Sequence, residues 1–174
     1  APLAIVGTVY TVTNTNNSGT GTLRQAITDA NGHAGADTIH FNISGIGVKT
    51  ITPTSALPQI TGQVILDAST QPGYSGTPLI RIHGTSAGSG VNGLYFTNSS
   101  DGSTIRGLMI TKFSKDGIYI ASGADSITIA GNWVGTTGTG STGVGNSNTG
   151  IESFAVGTRI EGNVITNSGN DGIN

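Results

Sequence analysis

Alternating apolar and polar positions, punctuated by glycine, run through the second half of the chain in a phrase that occurs three times. It reads S-T-I-R-G-L-M-I-T at Ser103 to Thr111, S-I-T-I-A-G-N-W-V at Ser126 to Val134, and T-R-I-E-G-N-V-I-T at Thr158 to Thr166. Each copy is followed by a short apolar run opened by glycine: D-G-I-Y-I at Asp116 to Ile120, T-G-I at Thr149 to Ile151 and D-G-I at Asp171 to Ile173. Period-2 alternation predicts short half-buried strands, and recurrence at a fixed spacing predicts stacked coils. The glycine before the second run marks the period, since Gly93 and Gly117 lie 24 residues apart and Gly150 and Gly172 lie 22 apart.

Alignment on the phrase puts Leu66, Ile82, Ile105, Ile129 and Ile160 in one column, and Ile110, Val134 and Ile165 in a second. Parallel coils repeat at about 4.8 Å, so such columns become aliphatic ladders facing the core. Upstream, Ile5 to Thr13 has a strand pattern and Asn14 to Gly19 is a polar turn cluster. From Thr20 the residues Leu23, Ala26, Ile27 and Ala30 form one helical apolar face that ends at Asn31-Gly32. A helix this short must pack on something, and laid across the first coil it would cover exposed strand edges. Further strands are expected at Thr38–Ile43 and Thr50–Thr52, then a connection marked by Pro53 and Pro58. The expected organisation is one all-β domain over residues 1–174, with a strand and amphipathic helix cap over 1–45 and stacked coils over 46–174. One coil carries extra residues, because Gly131 and Gly150 lie 19 apart where neighbouring coils use 10. The insertion, 135–148, is rich in Gly, Thr, Ser and Asn, and is expected to form a mobile or locally folded flap on one face.

Composition narrows the function classes. With 29 Gly among 174 residues and only 9% charged, the chain is no helical bundle, and 34% hydrophobic residues in alternating runs separate it from a disordered linker. A net charge of −2 offers no basic field, so nucleic acid and anionic membranes are not expected partners. No apolar run reaches the roughly 18 residues that a membrane span needs, and the Ala1-Pro2 start fits a processed mature end. Cysteine is absent, which removes disulfides and thiolate metal sites. Abundant Thr, Ser, Asn and Gly suit a secreted or cell-surface location.

The stretch T-V-T-N-T-N-N-S-G-T-G-T-L-R-Q-A-I-T-D-A-N, with A-D-T-I-H-F, Q-P-G-Y-S-G-T-P at Gln71 to Pro78 and the I-x-G-N-x-I phrases, resembles right-handed parallel β-helix surface and secreted proteins. That group is related in fold to the pectate lyases. The resemblance covers nearly the whole chain and implies a triangular solenoid with a helical N-terminal cap. It leaves function open, because the superfamily holds lyases, hydrolases, tailspikes, adhesins and passive stalks.

Catalysis on such a solenoid needs ionisable groups on successive coils. The phrase alignment places Asp67, His83 and Arg106 at one outward position, continued by Ala130 and Glu161. A lyase would use Arg or His to take the proton α to a uronate carboxylate, while the others bind the anion. Outward charges on a sheet are more often solvated ladders. A second column holds Asn92, Asp116, Thr149 and Asp171, with the two aspartates about 9.6 Å apart from coil spacing, at the outer limit for an inverting pair. Asp and Asn before Gly are also ordinary turn residues, and Gly131-Asn132 and Gly162-Asn163 look like a stacked asparagine turn.

The binding candidates are Trp133, Met109 and Tyr119. Met109, Trp133 and Val164 alternate with inward Ile110, Val134 and Ile165, so they are expected outside, with the only tryptophan beside the insertion. An exposed indole would stack on a sugar ring, unless the flap folds over it. His33, His40 and His83 lack metal-ligand spacing and no calcium-loop repeat occurs, so no cofactor is expected, with calcium on scattered carboxylates as the one cation to consider. The chain stops at Asp171-Gly172-Ile173-Asn174 inside a repeat, which is expected of a piece of a longer solenoid or of a coil that docks on a second copy. These readings converge on an extracellular structural or adhesive module that self-associates end to end or forms part of a stalk. A polysaccharide lyase or hydrolase and a glycan-binding module are the alternatives.

Overall fold

The computed structural model describes residues 6–138 and 141–174. Ile5, where the first strand was expected to start, and residues 139–140 of the expected insertion lie outside the described residues. The α-helix α1 (Leu23–Gly32) follows strand β1 (Val9–Val12). Its boundary is set by Thr22, whose hydroxyl accepts the Gln25 N–H at 3.2 Å as an N-cap. Its buried face is Leu23, Ala26, Ile27 and Ala30, as the pattern predicts, and it packs on β1 and β2 (Asp37–Phe41). The helix is also pinned at its end. His33 Nδ1 lies 3.0 Å from Asp37 Oδ1, and the same oxygen accepts the Thr8 N–H at 2.6 Å.

The remaining strands are β3 (Lys49–Ile51), β4 (Val64–Asp67), β5 (Ile80–His83), β6 (Leu94–Phe96), β7 (Thr104–Arg106), β8 (Leu108–Thr111), β9 (Ile118–Ile120), β10 (Thr128–Ala130), β11 (Trp133–Val134), β12 (Ile151–Ser153), β13 (Arg159–Glu161) and β14 (Val164–Ile165). They form three sheets in which every strand pair is parallel: β1-β2-β4-β7-β10-β13, β3-β5-β8-β11-β14 and β6-β9-β12. From β4 onward the chain visits the first, second and third sheets in strict rotation. Single bridges Ile60–Phe96 and Ile151–Ile173 extend the third sheet by one position at each side.

Register turns the alternation into inward ladders. The first sheet stacks Ile39, Leu66, Ile105, Ile129 and Ile160; the second stacks Ile51, Ile82, Ile110, Val134 and Ile165. The third adds Leu94, Ile118 and Ile151. Ile82 therefore stands in the second ladder, not in the first where the phrase alignment put it. The reason is a corner of unequal length. Gly107 alone joins β7 to β8, whereas residues 68–79 join β4 to β5, so the two strands of that circuit do not read as one phrase.

Asparagine closes the tight corners, as the sequence pattern suggests. Asn132, fully buried, accepts the Leu108 N–H at 3.0 Å and donates to the Ile105 carbonyl at 3.0 Å, and Asn163 Oδ1 takes the Asn132 N–H at 2.8 Å one circuit on. Side-chain amides thus satisfy main-chain groups that the turn strips from the ladder. The insertion makes the same device by another route. Asn146, 1% exposed, accepts the Phe113 N–H at 3.0 Å and donates to the Ile110 carbonyl at 3.1 Å. Ser147 and Asn148 then bond to the Phe113 and Lys115 carbonyls, so the end of the insertion is a regular rung and its described residues are locally folded.

Candidate functional site

The outward column of the first sheet runs Thr11, His40, Asp67, Arg106, Ala130 and Glu161. Asp67 and Arg106 are neighbours, as the phrase alignment has them, with Nη2 2.5 Å from Oδ2. His83 is not part of the column. It lies on the second sheet opposite Thr111, and His40 holds the register position beside Asp67.

Asp67 is committed to the fold. Its Oδ1 accepts the Ser69 N–H at 3.0 Å and the Ser69 hydroxyl at 2.5 Å, capping the short turn Ala68–Thr70, while Oδ2 holds Arg106. Burial alone would raise this carboxyl, but hydrogen bonds from Arg106 and Ser69 prevail and hold it below the usual carboxylate value. The same bond raises Arg106. A carboxylate so held is a weak base. His83 accepts from Arg81 Nη2 at 2.9 Å and sits 3.1 Å from the Thr111 hydroxyl. Burial, then the charges of Arg81 and Lys112, depress its pKa.

On the second sheet the outward column is Arg81, Met109, Trp133 and Val164. Met109 does not present a surface for a ligand. It alternates with the inward Ile110 and lies outside the apolar core cluster, but is only 2% exposed. Trp133 is half-buried, with Gly138 of the insertion against its ring. It borders a hollow of about 390 Å³ with Thr136, Val164 and Asn167.

The third sheet brings together what the sequence reading left apart. Two residues after each marker glycine stand Tyr95, Tyr119 and Glu152, which are register partners on successive circuits. The Tyr95 and Tyr119 rings meet edge to face at 4.8 Å, and Phe154 tilts against Tyr119 at 5.8 Å while remaining 56% exposed. Lys115 lies 5.3 Å from the Tyr119 ring centre. Burial, then Tyr95, Glu152 and Asp116, push the Tyr119 phenol above its ordinary value.

Beside these rings runs the Asp-Gly column, where main-chain bonds set Asn92, Asp116, Thr149 and Asp171 on successive circuits as expected. Asp116 is 1% exposed. Its Oδ1 accepts Asn148 Nδ2 at 2.6 Å and the Thr149 N–H at 3.1 Å, so the turn role accounts for that oxygen. Its Oδ2 is buried without a hydrogen-bond partner. Asp171, two circuits on, is exposed. Asp116, Asp171, Tyr119, Glu152, Phe154 and Lys115 line one groove of about 360 Å³. Glu152, 8% exposed, accepts Asn174 Nδ2 at 3.0 Å.

Sequence reasoning named Tyr119, Asp116 and Asp171 but missed Glu152 and Phe154. The signal was present, since the same count from the marker glycine that gives Tyr119 from Gly117 gives Glu152 from Gly150. Among the described residues no group of three or more His, Asp or Glu converges as a metal site. Comparison with protein-family models, with curated proteins and with solved structures gave no match.

Proposed function

We propose that the chain is a right-handed parallel β-helix that serves as an extracellular structural or adhesive module, stacked lengthwise on a further coil from a second copy or from more of the same chain. The observation that carries this reading is the continuity of the three ladders. A chain that visits three parallel sheets in rotation builds a rod whose stability grows with each added circuit. Parallel crossovers on one sheet are right-handed almost without exception, which sets the proposed hand. Strands β13 and β14 are edge strands of their sheets, and a further parallel strand pairs with such an edge through main-chain bonds. The polar, glycine-rich surface and the resemblance of the N-terminal stretch to secreted β-helix proteins support the location.

A lyase or hydrolase reading has less support. Asp67 and Arg106 neutralise one another, His83 belongs to another sheet, and Asp116 and Asp171 stand two circuits apart. A panel of neutral, aminated and uronate polysaccharides, scored for new reducing ends and for unsaturated products, is expected to remain uncleaved. Cleavage of any member that Asp116→Asn or Asp67→Asn abolishes overturns the non-catalytic reading.

A further inference from the structure

The geometry points to the groove on the third sheet as a binding site for an amine-bearing saccharide, such as a run of glucosamine units. This gives the adhesive part of the reading above its ligand class, and it stands whether or not the rods stack lengthwise.

Charge is the first argument. The groove is lined by three carboxylates, Asp116, Glu152 and Asp171, against one ammonium, Lys115, so it repels a uronate and attracts a cation. An unmet acceptor lies beside that charge. Asp116 Oδ2 is buried and unpartnered while Oδ1 makes two bonds, and the carboxylate belongs to the groove's lining. A buried acceptor left unpaired is costly, and an incoming N–H donor with positive charge relieves that cost more than a hydroxyl does. Next to both stands an aromatic surface. Phe154 is exposed and Tyr119 half-buried, both beside the acids, and ring faces of this kind attract the C–H face of a sugar and an ammonium alike.

Lys115 sharpens the argument. It lies against Tyr119 yet its side chain donates no hydrogen bond to any of the three carboxylates, so it brings a positive charge to the groove without satisfying Asp116. An aminated ligand therefore competes with Lys115, whereas an anionic ligand would need it. Asn148 and Asn170 also line the groove, with Asn148 Nδ2 bonded to Asp116 Oδ1 and Asn170 Nδ2 to Asn148 Oδ1, so neither amide N–H group named here serves Asp116 Oδ2.

Isothermal titration of the 174-residue chain with four probes decides the matter: a glucosamine tetramer, its N-acetylated counterpart, a galacturonate tetramer and tetralysine, at mildly acidic pH and physiological salt. The glucosamine tetramer is expected to bind most tightly. Glu152→Gln and Tyr119→Ala each weaken it about tenfold, as the loss of one charged or stacking contact does, and Lys115→Met strengthens it several-fold. Circular dichroism melts establish that each variant is folded, and the conservative Glu152→Gln keeps the test alive if Tyr119→Ala is not. Equal or tighter binding of the uronate, or weaker binding in Lys115→Met, overturns the charge argument. Tighter binding of tetralysine assigns the groove to a basic peptide and overturns the saccharide. Absence of glucosamine binding, or binding that neither Glu152→Gln nor Tyr119→Ala alters, overturns the site. None of these outcomes bears on lengthwise stacking.

Discussion

Replacing Ile129 with Asp unfolds the circuits on either side of it. Ile129 is fully buried on β10, with Ile105 and Ile160 as its register partners above and below, and its side chain belongs to the apolar core, while the nearby Asn132 and Asn163 amides are engaged by main-chain carbonyls. A carboxylate buried there without a partner costs several kcal/mol, against a total stability for a domain of roughly 5 to 15 kcal/mol. Ile129→Ala keeps the fold but loses about 2 to 5 kcal/mol through lost transfer and a cavity. Far-ultraviolet circular dichroism and denaturant titration separate the two. A melt of the Asp variant that matches the parent would contradict the assignment of this column to the core.

Gly117→Val is the second large effect, and it arises from close approach. A Cβ built on Gly117 would stand 2.6 Å from Val134 Cγ1 and 2.7 Å from both Asn146 Nδ2 and the Gly150 carbonyl. The neighbours repeat the constraint, since a Cβ on Gly93 would meet the Gly117 carbonyl at 2.3 Å and one on Gly150 the Gly172 carbonyl at 2.6 Å. Each of the three glycines thus faces a main-chain carbonyl of the next circuit, which cannot rotate away as a side chain can. The valine variant is expected to lose about 3 kcal/mol or more and to free the Asn146 corner. Gly62→Ala is the control, because a Cβ there has nothing within 4 Å, and its stability is expected to stay within about 0.5 kcal/mol of the parent. Similar losses at Gly62 and Gly117 would contradict the packing explanation.

These two sites also show what the sequence could convey. The ladder Ile105, Ile129 and Ile160 was legible because each copy of the phrase turns its corner at one glycine, so equal spacing in sequence is equal register in space. The marker glycine was legible for the same reason, although its cause, close approach of successive circuits, belongs to the three-dimensional packing. Ile82 and His83 were misplaced because the corner between β4 and β5 is long, and an alignment by phrase counts its second strand as a new coil. Met109 was given the right side of its strand but the wrong exposure, since alternation fixes direction and says nothing of what lies over that face. The acidic groove escaped because Glu152 and Phe154 follow a T-G-I step that lacks the aspartate of its two neighbours. Only register makes Glu152 the partner of Tyr119.

Electron microscopy of the purified chain across a range of concentrations tests most directly whether it is a lengthwise-stacking module. Rods of constant width that lengthen as concentration rises are the expected result, with the edges of β13 and β14 paired to a second copy. Dispersed particles of a single short length at every concentration, with the final circuit still protected from hydrogen exchange, would contradict it.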